Sequence, residues 1–233
     1  MAITSWSNSK YTDFAKCKFL CYLKHDKRVP EPERELRPGQ TEHANDRGSR
    51  IHDAAEMFVR GKGSATPEMR KFQAEFDVMQ RLFTRGEVSL EGEWGMDREW
   101  NIAPWKGAWL RLKLDAFVHV SRTEAVVIDY KSGKRFGNEM KHAEQTQLYA
   151  LVAALRHPEL EIIHTELWYL DVNEITQTTY TRDQALRFKR AWDMRGNQIT
   201  SCDSFPPNPN IFSCQWCGYG PWGTNDCRVG VKR

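Results

Sequence analysis

The sequence contains no apolar run approaching the roughly 18 residues that a membrane-spanning helix needs, so no such helix is expected. Its first stretch, Met1 to Phe14, is polar and aromatic and has no apolar core of the kind a secretory signal carries. Both absences point to a cytoplasmic protein. Internal repeats and low-complexity tracts are also missing. Net charge is nearly absent: 34 Lys and Arg stand against 31 Asp and Glu, leaving +3. That balance permits a nucleic-acid partner without arguing for one, because a local basic groove matters more than the total.

What is present suits a folded enzyme-sized unit. A chain of 233 residues fits one large domain, and two independent ones would be cramped. We expect a single unit over 1–233, with a helical part over 1–86, a core over 87–200 and a cysteine-rich tail over 201–233. Aromatic residues make up 12% of the chain and include 9 Trp, enough for a sizeable core.

The stretch Pro30–Gly39, with three prolines and alternating charges, reads as a surface loop. Ile51, Ala54, Ala55, Phe58 and Val59 recur at helical spacing and predict a helix over Asn45–Val59. Pro67 opens a second helix, with Phe72, Phe76, Met79 and Phe83 on one face. The period then changes. Leu110, Leu112, Leu114, Ala116, Val118 and Val120 alternate strictly, as in a strand, and Ala125–Lys131 forms another, joined through the hairpin residues Ser121–Glu124. Glu93–Ile102 is a third candidate strand. A helix over Lys141–Arg156, a strand over Ile162–Val172 and a helix over Thr181–Ile199 follow, before a loop-like tail from Phe205. This order predicts an α/β fold around a small mixed sheet.

The segment Val127-Ile-Asp-Tyr-Lys131 carries the most chemistry. Strand alternation puts Asp129 and Lys131 on one face, where two charges beside Val and Ile are costly without a partner or a metal. Asp115 lies on the neighbouring strand, opposite in parity to Leu112 and Leu114, and a hairpin brings it toward Asp129. Two carboxylates and a lysine at one edge make a site for a hard divalent cation such as Mg or Mn. On the first helix Gly48 and His52 lie one turn apart, and on the later helix Gln145 and Tyr149 do the same. Taken singly, His52 reads first as a capped or core histidine, and Gln145 with Tyr149 as a polar helix face with an interfacial tyrosine.

The cysteines form a second constellation. Cys214-Gln-Trp-Cys217 is a tight two-thiol bite, and Cys227 follows a loop rich in glycine. In a reducing compartment this favours a metal over disulfides. A fourth ligand would come from Cys17, Cys21 or Cys202, and four thiolates suit zinc and an iron–sulfur cluster alike.

In their order, Gly48-x-x-x-His52, Asp115, Asp129-x-Lys131 and Gln145-x-x-x-Tyr149 resemble the RecB-like PD-(D/E)-x-K nucleases. These are the nuclease domains of RecB and AddB, the CRISPR-associated RecB-like exonucleases and their phage relatives. The likeness covers nearly the whole chain, including the opening Ser5-Trp-Ser7 through Phe14-Ala-Lys-Cys17. It implies a restriction-endonuclease-like fold and a metal-dependent DNA exonuclease acting on single strands or duplex ends. By resemblance His52, Asp115, Asp129 and the Tyr130 carbonyl would hold Mg or Mn, Lys131 would be the catalytic lysine, and Gln145 and Tyr149 would line the site and hold the DNA strand. The chain departs from the pattern at Leu114, where the class name has proline, and at Asp129, in a slot often taken by glutamate. Iron–sulfur members take one cysteine before the core and three after it, which here implies a [4Fe–4S] cluster on Cys17, Cys214, Cys217 and Cys227. Lys18 replaces the usual proline after the first cysteine, and the gap before Cys227 is longer than usual.

Basic residues flanking the motifs, Arg47, Arg50, Lys134, Arg135 and Lys141, are candidates for phosphate contact. Trp105, Trp109 and Trp222 are candidates for stacking on unpaired bases. The competing function is a non-catalytic DNA-binding or scaffold protein with a metal-binding cysteine tail, and retention of Asp115, Asp129 and Lys131 together speaks against it.

Overall fold

The structure is a computed structural model that describes residues 3–33, 36, 39–133 and 135–231. The loop expected over Pro30–Gly39 lies partly outside those residues. The chain opens with helix α1 (Asn8–Lys16), capped by Ser7, whose Oγ accepts the Lys10 N–H at 3.3 Å. Helix α2 (Lys18–Cys21) runs on into a π-helical turn, Tyr22–Asp26. Then come α3 (Ala44–Val59), a 3-10 turn (Met69–Phe72) and α4 (Gln73–Thr84).

Six strands build one sheet: β1 (Val88–Met96), β2 (Ile102–Ala103), β3 (Leu110–His119), β4 (Glu124–Lys131), β5 (Ile162–Tyr169) and β6 (Glu174–Thr181). Their spatial order is β2-β1-β3-β4-β5-β6. Only β4 and β5 run parallel, so only that pair needs a crossover, and α5 (Glu139–Arg156) supplies it. The expected third strand is in fact two: Asp97–Asn101 turns between β1 and β2, with Trp100 at φ 68°.

The helix expected over Thr181–Ile199 is also divided. Its first residue ends β6, and α6 (Arg182–Arg187) and α7 (Lys189–Thr200) break at Phe188. Thr181 closes a capping box with Gln184, which fixes the strand-to-helix switch at that residue. The tail is irregular apart from α8 (Ile211–Cys214).

The sheet separates two apolar clusters. One gathers Trp94, Leu112, Leu114 and Phe117 with Leu148, Leu151, Val152 of α5 and Trp192 of α7. The other gathers Ile51, Ala55 and Val59 of α3 with Phe72, Phe76, Met79, Ala116, Val118, Ile128 and Tyr130. The apolar alternation of β3 is therefore not one face. Leu110, Leu112 and Leu114 belong to the first cluster, Ala116 and Val118 to the second, and Phe117 stacks on His157 at the end of α5. The strand changes its buried parity across Asp115. The cause lies opposite: Glu91 of β1, which register places across from Asp115, has φ 48°, and the ladder skips that pair. A non-glycine residue in the left-handed region costs about 1–2 kcal/mol.

The N-terminal segment is tied to this sheet. Trp6 bridges β3 through Trp6 N–H to Trp109 O at 2.7 Å and Arg111 N–H to Trp6 O at 2.9 Å. Trp6 stacks on Trp192 at 6.0 Å and meets Trp109 edge-on at 5.5 Å. A Cβ on Gly196 of α7 would lie 2.5 Å from both the Trp109 and Trp6 rings. Gly196→Ala should therefore overpack rigid rings, costing about 1–3 kcal/mol and lowering the melting temperature by about 3–10 °C. A melt within a degree of wild type would mean that this junction is looser than described.

Candidate active site

β3 and β4 pair only from Ala116↔Ile128 to His119↔Ala125, and beyond that they part. Asp115 sits in the fork. Its Oδ2 accepts the Tyr130 N–H at 2.6 Å, taking the place of a strand partner. The Lys131 carbonyl faces β5, where it accepts Leu170 N–H at 3.0 Å, so alternation turns the backbone of Tyr130 the other way, toward Asp115. The Tyr130 ring is buried against His52, Phe76 and Trp168.

Two groups of side chains meet at this fork. On the α3 side, His52 Nδ1 lies 2.7 Å from Asp115 Oδ1. One ligand-type atom from each of His52, Glu91 and Asp115 falls within 4.8 Å of the others. Burial raises the Asp115 carboxyl above its ordinary value, and the Asp129 charge adds to this against the His52 hydrogen bond. For His52 burial pulls downward, but the Asp115 hydrogen bond and charge prevail and the imidazole is held above its ordinary value.

On the α5 side, Asp129 Oδ1 accepts from the Tyr149 hydroxyl at 2.6 Å and from Gln145 Nε2 at 3.2 Å. Gln145 and Tyr149 are themselves 2.6 Å apart, one helical turn along α5. Lys131 donates to Gln145 Oε1 at 2.8 Å and forms an ion pair with Asp129 Oδ2. That Oδ2 is buried and has no hydrogen bond among the described residues. Asp129 itself is only 6% exposed, so the ammonium alone faces a carboxylate oxygen taken out of water.

Gly48 lies where a Cβ would come 3.3 Å from Ser132 Oγ, so its lack of a side chain seats α3 against the chain just past Lys131. The structure thus brings His52, Asp115, Asp129, Tyr130, Lys131, Gln145 and Tyr149 to one place. It also adds Glu91, which sequence reading passed over. Glu91 carries no motif, and only its strained backbone and its register opposite Asp115 mark it.

The flanking cations fare differently. Arg47 is bidentate to Asp171 at 2.6 and 3.0 Å and donates to Ser132 O at 2.8 Å. Arg50 is held by Glu42 and Glu68 at 2.6 and 2.8 Å. Arg135 faces Glu174 at 3.3 Å, both half exposed. Lys134 lies outside the described residues. Trp109 is buried, its Nε1 donating to Thr200 at 3.0 Å, which gives it a structural place in the core. Trp222 packs across Gly220, whereas Trp105 lines an open groove beside Lys131, Gln145 and Tyr149.

In a separate cavity, Cys17, Cys214, Cys217 and Cys227 come together with Pro207, Asn208 and Tyr219. The Asn208 N–H points at Cys17 Sγ at 3.3 Å and the Asn210 N–H at Cys214 Sγ at 3.4 Å. The long gap to Cys227 is folded into tight turns. A Cβ on Gly223 would strike the Gly218 carbonyl at 1.8 Å, and Thr224 N–H bonds that carbonyl at 2.9 Å. Cys21 is not in the cavity lining. It is fully buried in the core, its thiol pushed up to about 12 by burial, and its S–H points at Lys10 O at 3.6 Å. Cys202 bonds Ser204 O at 3.0 Å.

Among the described residues no helix is long and apolar enough to cross a membrane. No curated protein matches the chain. Among solved structures, an alkaline exonuclease (LHK-Exo) from Laribacter hongkongensis is 13% identical, covering 85% of this chain and 87% of that one, with a TM-score of 0.34. A protein designated SSO0001 is 12% identical, covering 80% and 82%, with a TM-score of 0.33. The family model of the PD-(D/E)XK nuclease superfamily matches residues 5–123 and 110–222, which together leave out only the two ends. A mixed sheet flanked by helices, with acidic residues and a lysine where two strands part, is the architecture this family's metal-dependent chemistry uses, and the chain belongs to the PD-(D/E)XK nuclease superfamily.

Proposed function

We propose that the protein is a RecB-like exonuclease that hydrolyses DNA phosphodiester bonds at the fork between β3 and β4, on single strands or duplex ends. Its setting would be recombination, repair or phage DNA processing in the cytoplasm. The observation that carries the reading is Asp129 Oδ2: a buried carboxylate oxygen that among the described residues meets only the Lys131 ammonium, beside a second carboxylate.

The donor set fits a hard divalent cation. His52, Glu91, Asp115, Asp129 and the Tyr130 carbonyl would hold Mg or Mn, offering oxygens and one imidazole. When bound, that ion lowers the pKa of a coordinated water and neutralises charge on the phosphate. The protein's own groups set the stage for it. With Nδ1 donating to Asp115, His52 keeps a lone pair on Nε2, as expected of an imidazole oriented by a carboxylate. Gln145 and Tyr149 fix the rotamer of Asp129 through its Oδ1 and leave Oδ2 facing inward. Tyr149 is 2% exposed, so its hydroxyl serves Asp129 and positions it, while the DNA strand runs past in the groove. Lys131, steadied by Gln145, stabilises charge developing on the phosphate and orients the attacking water.

We infer also that Cys17, Cys214, Cys217 and Cys227 hold a [4Fe–4S] cluster joining the two ends of the chain. The four sulfurs line one cavity, as the ligands of a single centre must, and the resemblance to iron–sulfur members of the family favours the cluster over zinc. The two backbone N–H groups aimed at sulfur support a ligated thiolate as well.

The activity is tested with end-labelled linear and circular single-stranded DNA, with Mg or Mn, beside Lys131→Ala. Linear DNA should be degraded and the circle spared, EDTA should stop the reaction, and Lys131→Ala should lose about 10²–10⁴-fold. A wild type with its metal centres intact that cuts neither substrate would leave a DNA-binding scaffold as the reading to pursue.

A further inference from the structure

We propose that Lys10 and Arg111 form a subsite for a backbone phosphate that flanks the scissile one, with Trp105 stacked behind the guanidinium. This rests on the nuclease reading and says how the strand is held beside the site.

The groove that opens at Lys131, Gln145 and Tyr149 runs along α1 and the start of β3. Its wall carries the cations Lys10, Lys24, Arg111, Lys113, Lys131 and Lys141, against one carboxylate, Asp13. Half of these cations are already matched. Lys24 pairs with Asp13 and Glu31, Lys113 with Glu91 at 2.7 Å, and Lys131 with Asp129. Lys10, Arg111 and Lys141 have no carboxylate partner among the described residues.

Lys10 and Arg111 differ from a solvated surface charge. Both are half buried, and both line the same groove. The Trp6 bridge to β3 fixes α1 against Arg111, and Lys10 Nζ is anchored on Ser5, to its carbonyl at 3.1 Å and its hydroxyl at 3.2 Å. Arg111 lies over the Trp105 ring at 5.6 Å, with its Nε buried and without a hydrogen bond among the described residues. Burial and the neighbouring Arg111 charge both hold the Lys10 ammonium below its ordinary value. Two like charges kept close, with donors to spare, are relieved by an anion, and an arginine fork with a lysine is suited to phosphate.

The position is offset along β3 from the fork that would hold the scissile phosphate. Arg111, Lys113 and Asp115 alternate along β3, so Arg111 lies about 13 Å from Asp115 at roughly 3.3 Å per residue. That offset suits a phosphate a nucleotide or two further along the same strand, and the partly exposed Trp105 beside it suits an unpaired base.

The test uses the full-length protein with Lys131→Ala to prevent cleavage, and binding of a fluorescent single-stranded oligonucleotide across a salt series. Arg111→Gln and Lys10→Gln should each weaken binding of every sequence tested. Each should also flatten the log–log salt slope by about 0.7, the value for one phosphate contact on a single strand. Arg111→Lys should keep most of the slope. Unchanged slopes in both Gln variants, with melts matching the parent, overturn the subsite. Oligonucleotides with and without terminal phosphates separate the two sources of the anion: an equal loss for all of them supports a backbone phosphate, and a loss confined to phosphorylated ends overturns the flanking assignment. In the cleaving enzyme Arg111→Gln should raise KM more than it lowers kcat. Should wild type prove inactive while the slopes still fall, the nuclease reading is lost and the phosphate subsite stands.

Discussion

Replacing Asp115 by Asn should lower cleavage by on the order of 10³-fold while leaving the metal-free protein as stable as wild type, or more so. The loss follows from the place of Asp115 in the fork, where it links the His52 and Glu91 side to the Tyr130 backbone. An amide keeps the shape: its oxygen still accepts the Tyr130 N–H and its NH2 can donate to His52 Nδ1 in the other tautomer, but it brings no negative charge to a divalent ion. The stability claim follows from the carboxyl's environment. Burial, with Asp129 nearby, makes the charged form of Asp115 costly, and the amide removes that cost.

The same shifts set a pH dependence. The folded-state pKa of Asp115 is raised above its unfolded value, near 3.8, so the folded protein holds that proton more tightly. Its contribution to stability is full below that value and falls as pH rises through the folded pKa. His52 is also raised, from 6.5, so its contribution is present below 6.5 and is lost as pH rises through its folded value. Both act in one direction, and metal-free protein should become less stable on their account as pH rises above about 4 and passes through the raised folded values of the two groups. Added Mn should restore stability, more strongly at higher pH, because the ligands must be free of protons to bind it. Thermal melts from pH 5 to 9, with EDTA or Mn, read this out. A Mn-induced shift in Asp115→Asn equal to that of wild type would remove Asp115 from the metal site.

Much of this site could be read from the sequence because strand parity and helical turns are local rules. Asp129 and Lys131 share a face by alternation alone, and Gln145 and Tyr149 share one by a single helical turn. Glu91 could not be found that way. It reaches the site through a left-handed kink and a register set by the pairing of β1 with β3, neither of which a local pattern encodes. The strict alternation of β3 misled for the same reason: the kink opposite Asp115 passes one apolar series from the α5 cluster to the α3 cluster. β6 was invisible as a strand because Glu174–Thr181 is an edge with mostly exposed residues, so no buried face marks it. Arg47 and Arg50 read as free cations because their partners Asp171, Glu42 and Glu68 are brought in by the fold. Lys10, which motif proximity did not suggest, stands in the groove because the Trp6 bridge carries α1 there.

The second large effect is expected at the cysteine cavity. With the proposed cluster in place, anaerobically purified protein should be brown, and Cys17→Ser, Cys214→Ser, Cys217→Ser and Cys227→Ser should each abolish that colour, while Cys21→Ser and Cys202→Ser should keep it. The distinction rests on geometry: the first four sulfurs share one cavity, while Cys21 is a core thiol and Cys202 is turned to Ser204. Loss of the proposed cluster should also free the tail to proteolysis, because residues 201–231 hold little regular structure. Their one helix has four residues, and among the described contacts to the rest of the chain are the Tyr219 hydroxyl to Val29 O at 2.8 Å and Phe205 stacked on Tyr22. Structural metal centres of this sort supply folding free energy of about 10–16 kcal/mol in small zinc peptides, far more than those contacts. The consequence reaches the active site by way of α1. Cys17 ends that helix, and Lys10 stands near its start, so a cluster-free protein should bind DNA more weakly while Asp115, Asp129 and Lys131, held by the sheet and α5, keep their arrangement. Cluster loss should therefore raise KM several-fold and leave kcat nearly unchanged. If kcat collapsed with KM unaltered, the cluster would be coupled to the carboxylates by a route other than α1.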